Sequence, residues 1–276
     1  MTGYIPTLEQ IDELHRKIAP SQAAYDLVHT HCVIVATIAR QLAHHQNELF
    51  VHRCQLNDTD MEATAGAEIT SEATADADIA AGAATGVAGA EAGTTGVAAT
   101  AGAGAALGTV TGGKVPPRLI DEHVVTIGGL LHDIGTYQVF RHDGTDGEPL
   151  KFSGKRYIQH GLLGYQYLLD EGVDESIAQF ARNHTGVGLT QQMVVAQNLP
   201  LPPVDYLPTT LEQEIVMVAD KYHSKSVPPK FLTVDAYTRR AERYGEANKA
   251  KWLSLVAQYG VPNVPALAAK YHMRII

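Results

Sequence analysis

The sequence predicts an all-α protein, a bundle of helices interrupted by one long low-complexity segment. Apolar residues recur every three or four positions over several long stretches, which is the period of an amphipathic helix. Residues 57–113 are rich in Ala, Gly and Thr and contain no aromatic residue. Because such a composition buries too little apolar surface to offset its ordering entropy, we predict a disordered insertion there.

The first predicted helix spans Ser21–Gln46, with its apolar side chains on one face (Leu27, Val28, Val35, Ile38, Ala39 and Leu42). A second is predicted over Pro117–His132, and Gly135 supplies its stop signal. Tyr137–Phe140 and Leu150–Phe152 flank a segment rich in Asp and Gly. This pattern predicts a short hairpin or an irregular loop.

Two further helices are predicted at Tyr157–Glu171 and Glu175–His184. The proline-rich segment Leu199–Pro208 predicts an extended loop, and a helix over Thr210–Ser224 follows, capped by threonine. Two or three helices complete the chain, and little or no sheet is expected. We therefore predict one discontinuous domain, residues 1–56 and 114–230, followed by a C-terminal helical extension over residues 231–276.

The strongest local signal is the adjacent pair His132-Asp133, which follows an apolar helix and precedes Gly135. The imidazole can bind one metal ion, and the short carboxylate can bridge to a second. Two adjacent residues cannot complete a metal site, so other ligands must come from other helices. His31 is one candidate, because apolar residues at helical spacing place it on the buried face of its helix.

Three more side chains have the same character. His160 has Leu163, Gly164 and Tyr167 on its own helix face, and His184 ends an apolar helix before a glycine-rich turn. Asp220 follows five apolar residues, and a buried carboxylate needs a cation or hydrogen-bond donors. Each has an ordinary structural explanation when taken alone; together they predict a metal site.

The order His31, His132-Asp133, His160, His184, Asp220 resembles that of the HD-domain superfamily, and more narrowly that of small HDIG-type predicted hydrolases. The resemblance covers residues 20–50 and 115–225. It implies an HD-domain helical bundle that holds two ions, with His132 and Asp133 as catalytic residues. We expect His31, His132, Asp133 and Asp220 to hold one ion, and Asp133, His160 and His184 the other.

Imidazole and carboxylate ligands suit Mn²⁺, Fe²⁺, Co²⁺ or Zn²⁺. The implied activity is a metal-dependent phosphohydrolase that attacks a phosphoester or phosphoanhydride of a small molecule, with a nucleotide as the expected substrate, through a metal-activated hydroxide. Thr136 stands where many HDIG proteins have a phosphate-contacting lysine, so this contact falls to another basic residue, and the candidates are Arg141, Lys151, Lys155 and Arg156. The alternatives are a di-iron oxygenase with the same six ligands and a binding module without turnover.

Composition limits the partners. The formal net charge of -9 argues against nucleic acid, which needs a basic face. No stretch is long and apolar enough to span a membrane, and no secretory signal is evident. Cys32 and Cys54 are too few for a disulfide framework. We therefore expect a cytoplasmic protein with a small phosphorylated substrate.

Overall fold

The computed structural model describes residues 3–69 and 109–276, without the side chains of residues 57–69. The chain divides into two compact units, one formed by Met1–Val51 with Gly108–Ile276 and the other by His52–Leu107. The candidate site belongs to the first unit. No described helix combines the length and the apolar character that crossing a membrane requires.

The first two helices are α1 (Leu8–Ile18) and α2 (Gln22–Ile69). α2 contains neither Gly nor Pro before Gly66, so no residue breaks it at the predicted end, Gln46. α2 extends into the segment predicted as the insertion and ends at Ile69, and near the other end of that segment Thr111 forms an antiparallel bridge with Val261. Residues 70–108 of the predicted insertion lie outside the described residues.

The third helix, α3 (Glu122–Leu131), begins later than the predicted start at Pro117. The carboxylate of Asp121 caps it by accepting hydrogen bonds from the backbone N–H groups of His123 and Val124. Gly129 allows α3 to approach α2 closely, because a Cβ atom there would lie 2.6 Å from Cα of Ala36. This close packing brings the end of α3 beside α2.

A 3-10 helix (Ile134–Val139) leads into a two-stranded antiparallel hairpin of β1 (Phe140–His142) and β2 (Lys151–Phe152). The predicted hairpin is present, but its first strand starts at Phe140 and not at Tyr137. A second 3-10 helix (Tyr157–Gln159) precedes the next four helices. These are α4 (His160–Asp170), α5 (Glu175–Arg182), α6 (Gln191–Ala196) and α7 (Leu211–Asp220).

The prediction that α7 continues to Ser224 is wrong, because the helix ends at Asp220 and β3 (His223–Ser224) follows. β3 pairs antiparallel with β4 (Lys230–Phe231), and β4 pairs parallel with β5 (Arg274–Ile275). Between β4 and β5 lie α8 (Val234–Glu242), α9 (Glu246–Tyr259) and α10 (Val264–Lys270). The segment after residue 230 shares the core of the preceding residues, since Phe231, Trp252 and Tyr259 are buried in the same apolar cluster as α2 and α7.

Candidate metal centre

Five separate stretches of the chain bring six ligand-type side chains together. His31 comes from the middle of α2, and His132 and Asp133 follow α3. The other three sit at helix ends, with His160 first in α4, His184 just after α5 and Asp220 last in α7. They form two groups in which the candidate ligand atoms lie within 4.8 Å of one another: His31, His132, Asp133 and Asp220, and Asp133, His160 and His184.

Asp133 belongs to both groups, and its two carboxylate oxygens face different ways. Oδ2 lies 3.0 Å from Nε2 of His31. Oδ1 lies 3.4 Å from Nε2 of His160 and 3.5 Å from Nε2 of His184. The carboxylate is completely buried, and Thr136 orients it by donating a hydrogen bond of 2.9 Å to Oδ1. This is the arrangement of a carboxylate that bridges two neighbouring cation positions.

Three of the histidines are held in the same way. The Nδ1 atoms of His132, His160 and His184 lie 2.8, 2.6 and 2.8 Å from backbone carbonyl oxygens three residues earlier in the chain. A carbonyl oxygen only accepts, so each Nδ1 carries a proton and donates it. In a neutral imidazole the remaining nitrogen, Nε2, then has a free lone pair. All three Nε2 atoms therefore face the centre as ligand atoms.

The convergence of these lone pairs is energetically unfavourable without a cation. Nε2 of His160 lies 3.0 Å from Nε2 of His184, so two acceptors face each other. Nε2 of His31 and Nε2 of His132 are buried and make no hydrogen bond with any described group, although each lies within 4 Å of carboxylate oxygens. Buried polar atoms without partners are rare, and one metal ion in each ligand group would satisfy them in pairs, His31 with His132 and His160 with His184.

His31 is oriented by a residue that the sequence did not reveal. Its Nδ1 lies 2.8 Å from Nδ1 of His223, whose Nε2 lies 3.3 Å from the Met273 sulfur. A thioether sulfur only accepts, so Nε2 of His223 carries the proton and its Nδ1 accepts one from His31. Nε2 of His31 is then also a free lone pair aimed at the two carboxylates. His223 lies three residues after Asp220, and only the fold brings it beside α2.

Burial controls the protonation of the imidazoles. It lowers the pKa of His160 to about 3 and lowers the pKa of His184, so both rings are neutral near pH 7. Burial acts in the same direction on His132, but the nearby Asp220 carboxylate, 3.6 Å from Nε2, and Cys32 outweigh it and raise the pKa of His132 to about 10. In the absence of a metal ion, the proton on His132 thus balances part of the carboxylate charge. A metal ion would displace this proton and use the same lone pair.

A buried lysine also contacts the centre. Lys225 pairs with Oδ2 of Asp133, its side chain is 7% exposed, and its Nζ lies 5.5 Å from the ring centroid of Tyr157. Burial alone would lower the pKa of Lys225, but Asp133 and Tyr157 raise it above its ordinary value. Burial alone would raise the pKa of Asp133, and Lys225 is the main cause of its being held well below the usual range. Lys225 therefore stays charged.

The residues predicted to contact the substrate phosphate lie further out. Arg141, Lys151, Lys155 and Arg156 are all exposed, and Lys155 is the one among them that lines the cavity at the centre. The other three do not line it: Arg141 and Lys151 are exposed on the hairpin of β1 and β2, and Arg156 is exposed just before the second 3-10 helix. Two buried lysines supply positive charge at the centre, Lys225 beside Asp133 and Lys221 beside Asp220. The sequence analysis missed Lys225 because it lies in a short polar loop typical of a solvated surface.

A cavity of about 540 Å³ opens at the centre, which is within the range of pockets for small-molecule ligands. His160, His184, Asp220 and Lys225 line it. Apolar side chains line it as well, namely Ile158, Val187, Leu189, Met193, Leu199 and Pro200. The arrangement can therefore hold a small molecule that has both an apolar and a charged part beside the metal ligands.

Residues 96–225 match the family model of the HD domain. The matched residues make up just under half of the chain. The match includes five of the six candidate ligands, and His31 precedes it. The resemblance stated from the sequence is thereby confirmed.

Curated relatives cover only part of this chain. An uncharacterized protein of Methanocaldococcus jannaschii is 41% identical over 101 residues, 37% of this chain and 49% of the relative. The tRNA (cytidine(56)-2'-O)-methyltransferase of Thermoplasma volcanium is 32% identical over 135 residues, 47% of this chain and 35% of the relative. The enzyme of that name from Picrophilus torridus is 34% identical over 100 residues, 36% of this chain and 24% of the relative. The chain thus spans less than half the length of each of these relatives.

Among solved structures, the HD domain of the L. monocytogenes phosphodiesterase PgpH is similar at 12% identity. Its complex with cyclic-di-AMP gives a TM-score of 0.40 and covers 97% of this chain and 99% of that one. The structure described without that ligand gives 0.39, with 95% and 99% covered.

Proposed function

We propose that this protein is a metal-dependent phosphohydrolase that cleaves a phosphoester or phosphoanhydride bond of a small molecule, with a nucleotide as the expected substrate. The observation that carries the proposal is the pair of ligand groups that share Asp133, next to a ligand-sized cavity that His160, His184 and Asp220 line. The HD domain match supports it. The net charge of -9 favours a small molecule over nucleic acid.

The donor set fits two divalent transition-metal ions, because four imidazole lone pairs and two carboxylates converge with too few internal partners. His31, His132, Asp133 and Asp220 would hold one ion, and Asp133, His160 and His184 the other. When bound, two such ions lower the pKa of a water molecule and neutralise charge on phosphoryl oxygens.

The protein's own side chains would bind the phosphoryl group and orient the shared carboxylate. Lys225 presents a charged ammonium group at the cavity wall, beside the carboxylate that both ligand groups share. An ammonium group has three donors, so it can bind a phosphoryl oxygen while it keeps Asp133. Thr136 holds that carboxylate in orientation. We assign Lys225 the role that the sequence analysis gave to the basic residues between 141 and 156.

The test combines metal analysis with a substrate panel. The purified protein, loaded in turn with Mn²⁺, Fe²⁺, Co²⁺ and Zn²⁺, should release phosphate from at least one phosphomonoester, nucleotide or cyclic nucleotide. Asp133→Ala should lose both the bound metal and turnover, whereas Asp143→Ala, in an exposed loop, should keep both. Full metal content and turnover in Asp133→Ala would overturn the proposal. Oxygen uptake by the iron-loaded protein without phosphate release would favour the oxygenase.

A further inference from the structure

One wall of the cavity comes from the C-terminal segment, outside the residues that match the HD domain. Tyr237, Arg240, Ala241 and Tyr244 line it. Their spacing of three, one and three residues places them on one face of α8 and of the turn that ends it. Arg239 and Arg243 lie between them in the sequence and do not line the cavity. The wall is therefore one particular face of this helix.

This wall is firmly anchored. Tyr237 packs edge-on against the buried ring of Trp252, with centroids 4.7 Å apart. The indole N–H of Trp252 donates to the hydroxyl of Thr238 at 3.1 Å. Asn248 donates from its amide nitrogen to the backbone oxygen of Tyr244 at 2.8 Å. The backbone that carries the wall is thus fixed before a ligand arrives, which reduces the entropic cost of binding.

Arg240 is a charged group without a counter-ion among the described residues. Its side chain is exposed and makes no hydrogen bond or ion pair with any residue that the structure describes. The nearest acidic residue along the helix, Glu242, is paired instead with Lys249 at 2.8 Å. Tyr244, which lines the cavity with Arg240, is 64% exposed. A free guanidinium next to an open aromatic face can bind an oxyanion and stack a planar ring.

The charged residues that line the cavity are mostly basic. Its lining includes Lys155, Lys221, Lys225 and Arg240 but only one carboxylate, that of Asp220. Lys221 and Lys225 are paired with Asp220 and Asp133. Arg240 is therefore an uncompensated positive charge away from the metal ligands, in a chain that is acidic as a whole.

We infer that Arg240 and Tyr244 form a second recognition site, which binds an anionic group of the substrate other than the one at the metal centre. This inference rests on the proposed function and narrows its substrate class to nucleotides that carry two separate phosphate groups. One phosphate contacts Lys225 and the metal ligands, the second contacts Arg240, and the base stacks on Tyr244.

The experiment compares two ligands that differ by one phosphate, adenosine monophosphate and adenosine 3′,5′-bisphosphate. Their inhibition constants are measured against hydrolysis of p-nitrophenyl phosphate, and their dissociation constants by calorimetry. The wild-type protein should prefer the bisphosphate by about 10- to 100-fold, the range expected for hydrogen bonds to a charged group. Arg240→Ala should bring the ratio close to one, and Tyr244→Ala should weaken both ligands together.

Arg239→Ala and Arg243→Ala are the matched controls, because they remove the same charge from the other face and should preserve the ratio. Equal affinity of the wild-type protein for the two nucleotides would overturn the inference, as would the same change of ratio in Arg239→Ala and Arg240→Ala. A protein that hydrolyses none of the phosphate esters but still distinguishes the nucleotides by calorimetry would contradict the proposed function and leave the second site standing. Hydrolysis without discrimination would do the reverse.

Discussion

Replacing Gly135 with alanine should disrupt the candidate metal centre without altering any of its six side chains. A Cβ atom on Gly135 would lie 2.1 Å from the backbone oxygen of His160 and 2.3 Å from the backbone nitrogen of Gly164. Both are main-chain atoms of α4, so no flexible side chain can move aside. Reaching an ordinary contact of 3.4 Å requires α4 to move away from residue 135 by about 1.3 Å, the difference between 3.4 and 2.1 Å.

This displacement acts directly on the ligands, because His160 is the first residue of α4 and Asp133 lies two residues before Gly135. Metal sites tolerate changes of roughly 0.2 Å in ligand distances, so a shift several times larger should remove one ion or both. Overpacking of this kind also destabilises a folded protein by about 1–3 kcal/mol. We expect a folded variant with a lower melting temperature and a reduced metal content after dialysis.

Metal content is measured on dialysed protein, and circular dichroism monitors unfolding. Gly154→Ala is the control, because Gly154 also lines the cavity but a Cβ atom there would have no neighbour within 4 Å. If Gly135→Ala bound as much metal as the wild-type protein, with the same affinity, the ligand geometry inferred for α4 and Asp133 would be wrong.

Two more predictions concern buried histidines. His223→Ala should weaken metal binding by about 10- to 100-fold, because the Nδ1 proton of His31 loses its acceptor. Competition with a chelator measures this loss of affinity. His223→Asn, which keeps an acceptor, should recover part of the affinity. An equal loss in both variants would mean that packing and not the hydrogen bond matters. His15 is buried between Leu130 and Tyr137, and burial lowers its pKa from 6.5 to about 4. The unfolded chain therefore binds the proton first, so the stabilisation from neutral His15 is complete above pH 6.5 and decreases by up to about 3 kcal/mol as the pH falls to 4. Urea unfolding of the metal-free protein between pH 4 and 7 should show a shallower pH dependence in His15→Gln, and an unchanged slope would contradict this assignment.

The sequence predicted the parts of the centre that depend on local pattern. His31 could be identified because its apolar neighbours follow the helical period, and the pair His132-Asp133 because it ends an apolar helix. The short sheet of β3, β4 and β5 could not, since strands of two residues show no alternation. His223 lies in β3, so missing that strand also concealed the partner of His31.

The position of basic residues in the sequence also did not predict which of them contact the centre. Arg141, Lys151 and Arg156 follow the His132-Asp133 pair in the sequence but do not line the cavity. Lys225 lies 92 residues after Asp133 and reaches it only because the chain turns back after α7. Sequence proximity is a poor guide to electrostatic contact in a bundle whose ligands come from five stretches of chain. Arg240 lies still further along the sequence, in a helix that composition alone marks as solvated surface.

Charge balance connects the centre to the wall of the cavity. Asp133 and Asp220 carry the two carboxylates of the centre, and Lys225 and Lys221 already pair with them. Once the proton on His132 is displaced, two divalent ions held by neutral imidazoles would add four positive charges to a buried site whose own charges cancel. Such an excess is unfavourable at low dielectric unless an anion enters with the ions. A phosphorylated ligand would supply that anion, so metal and substrate should each favour the binding of the other. The additional cation at Arg240 would favour a ligand with more negative charge than one phosphate carries.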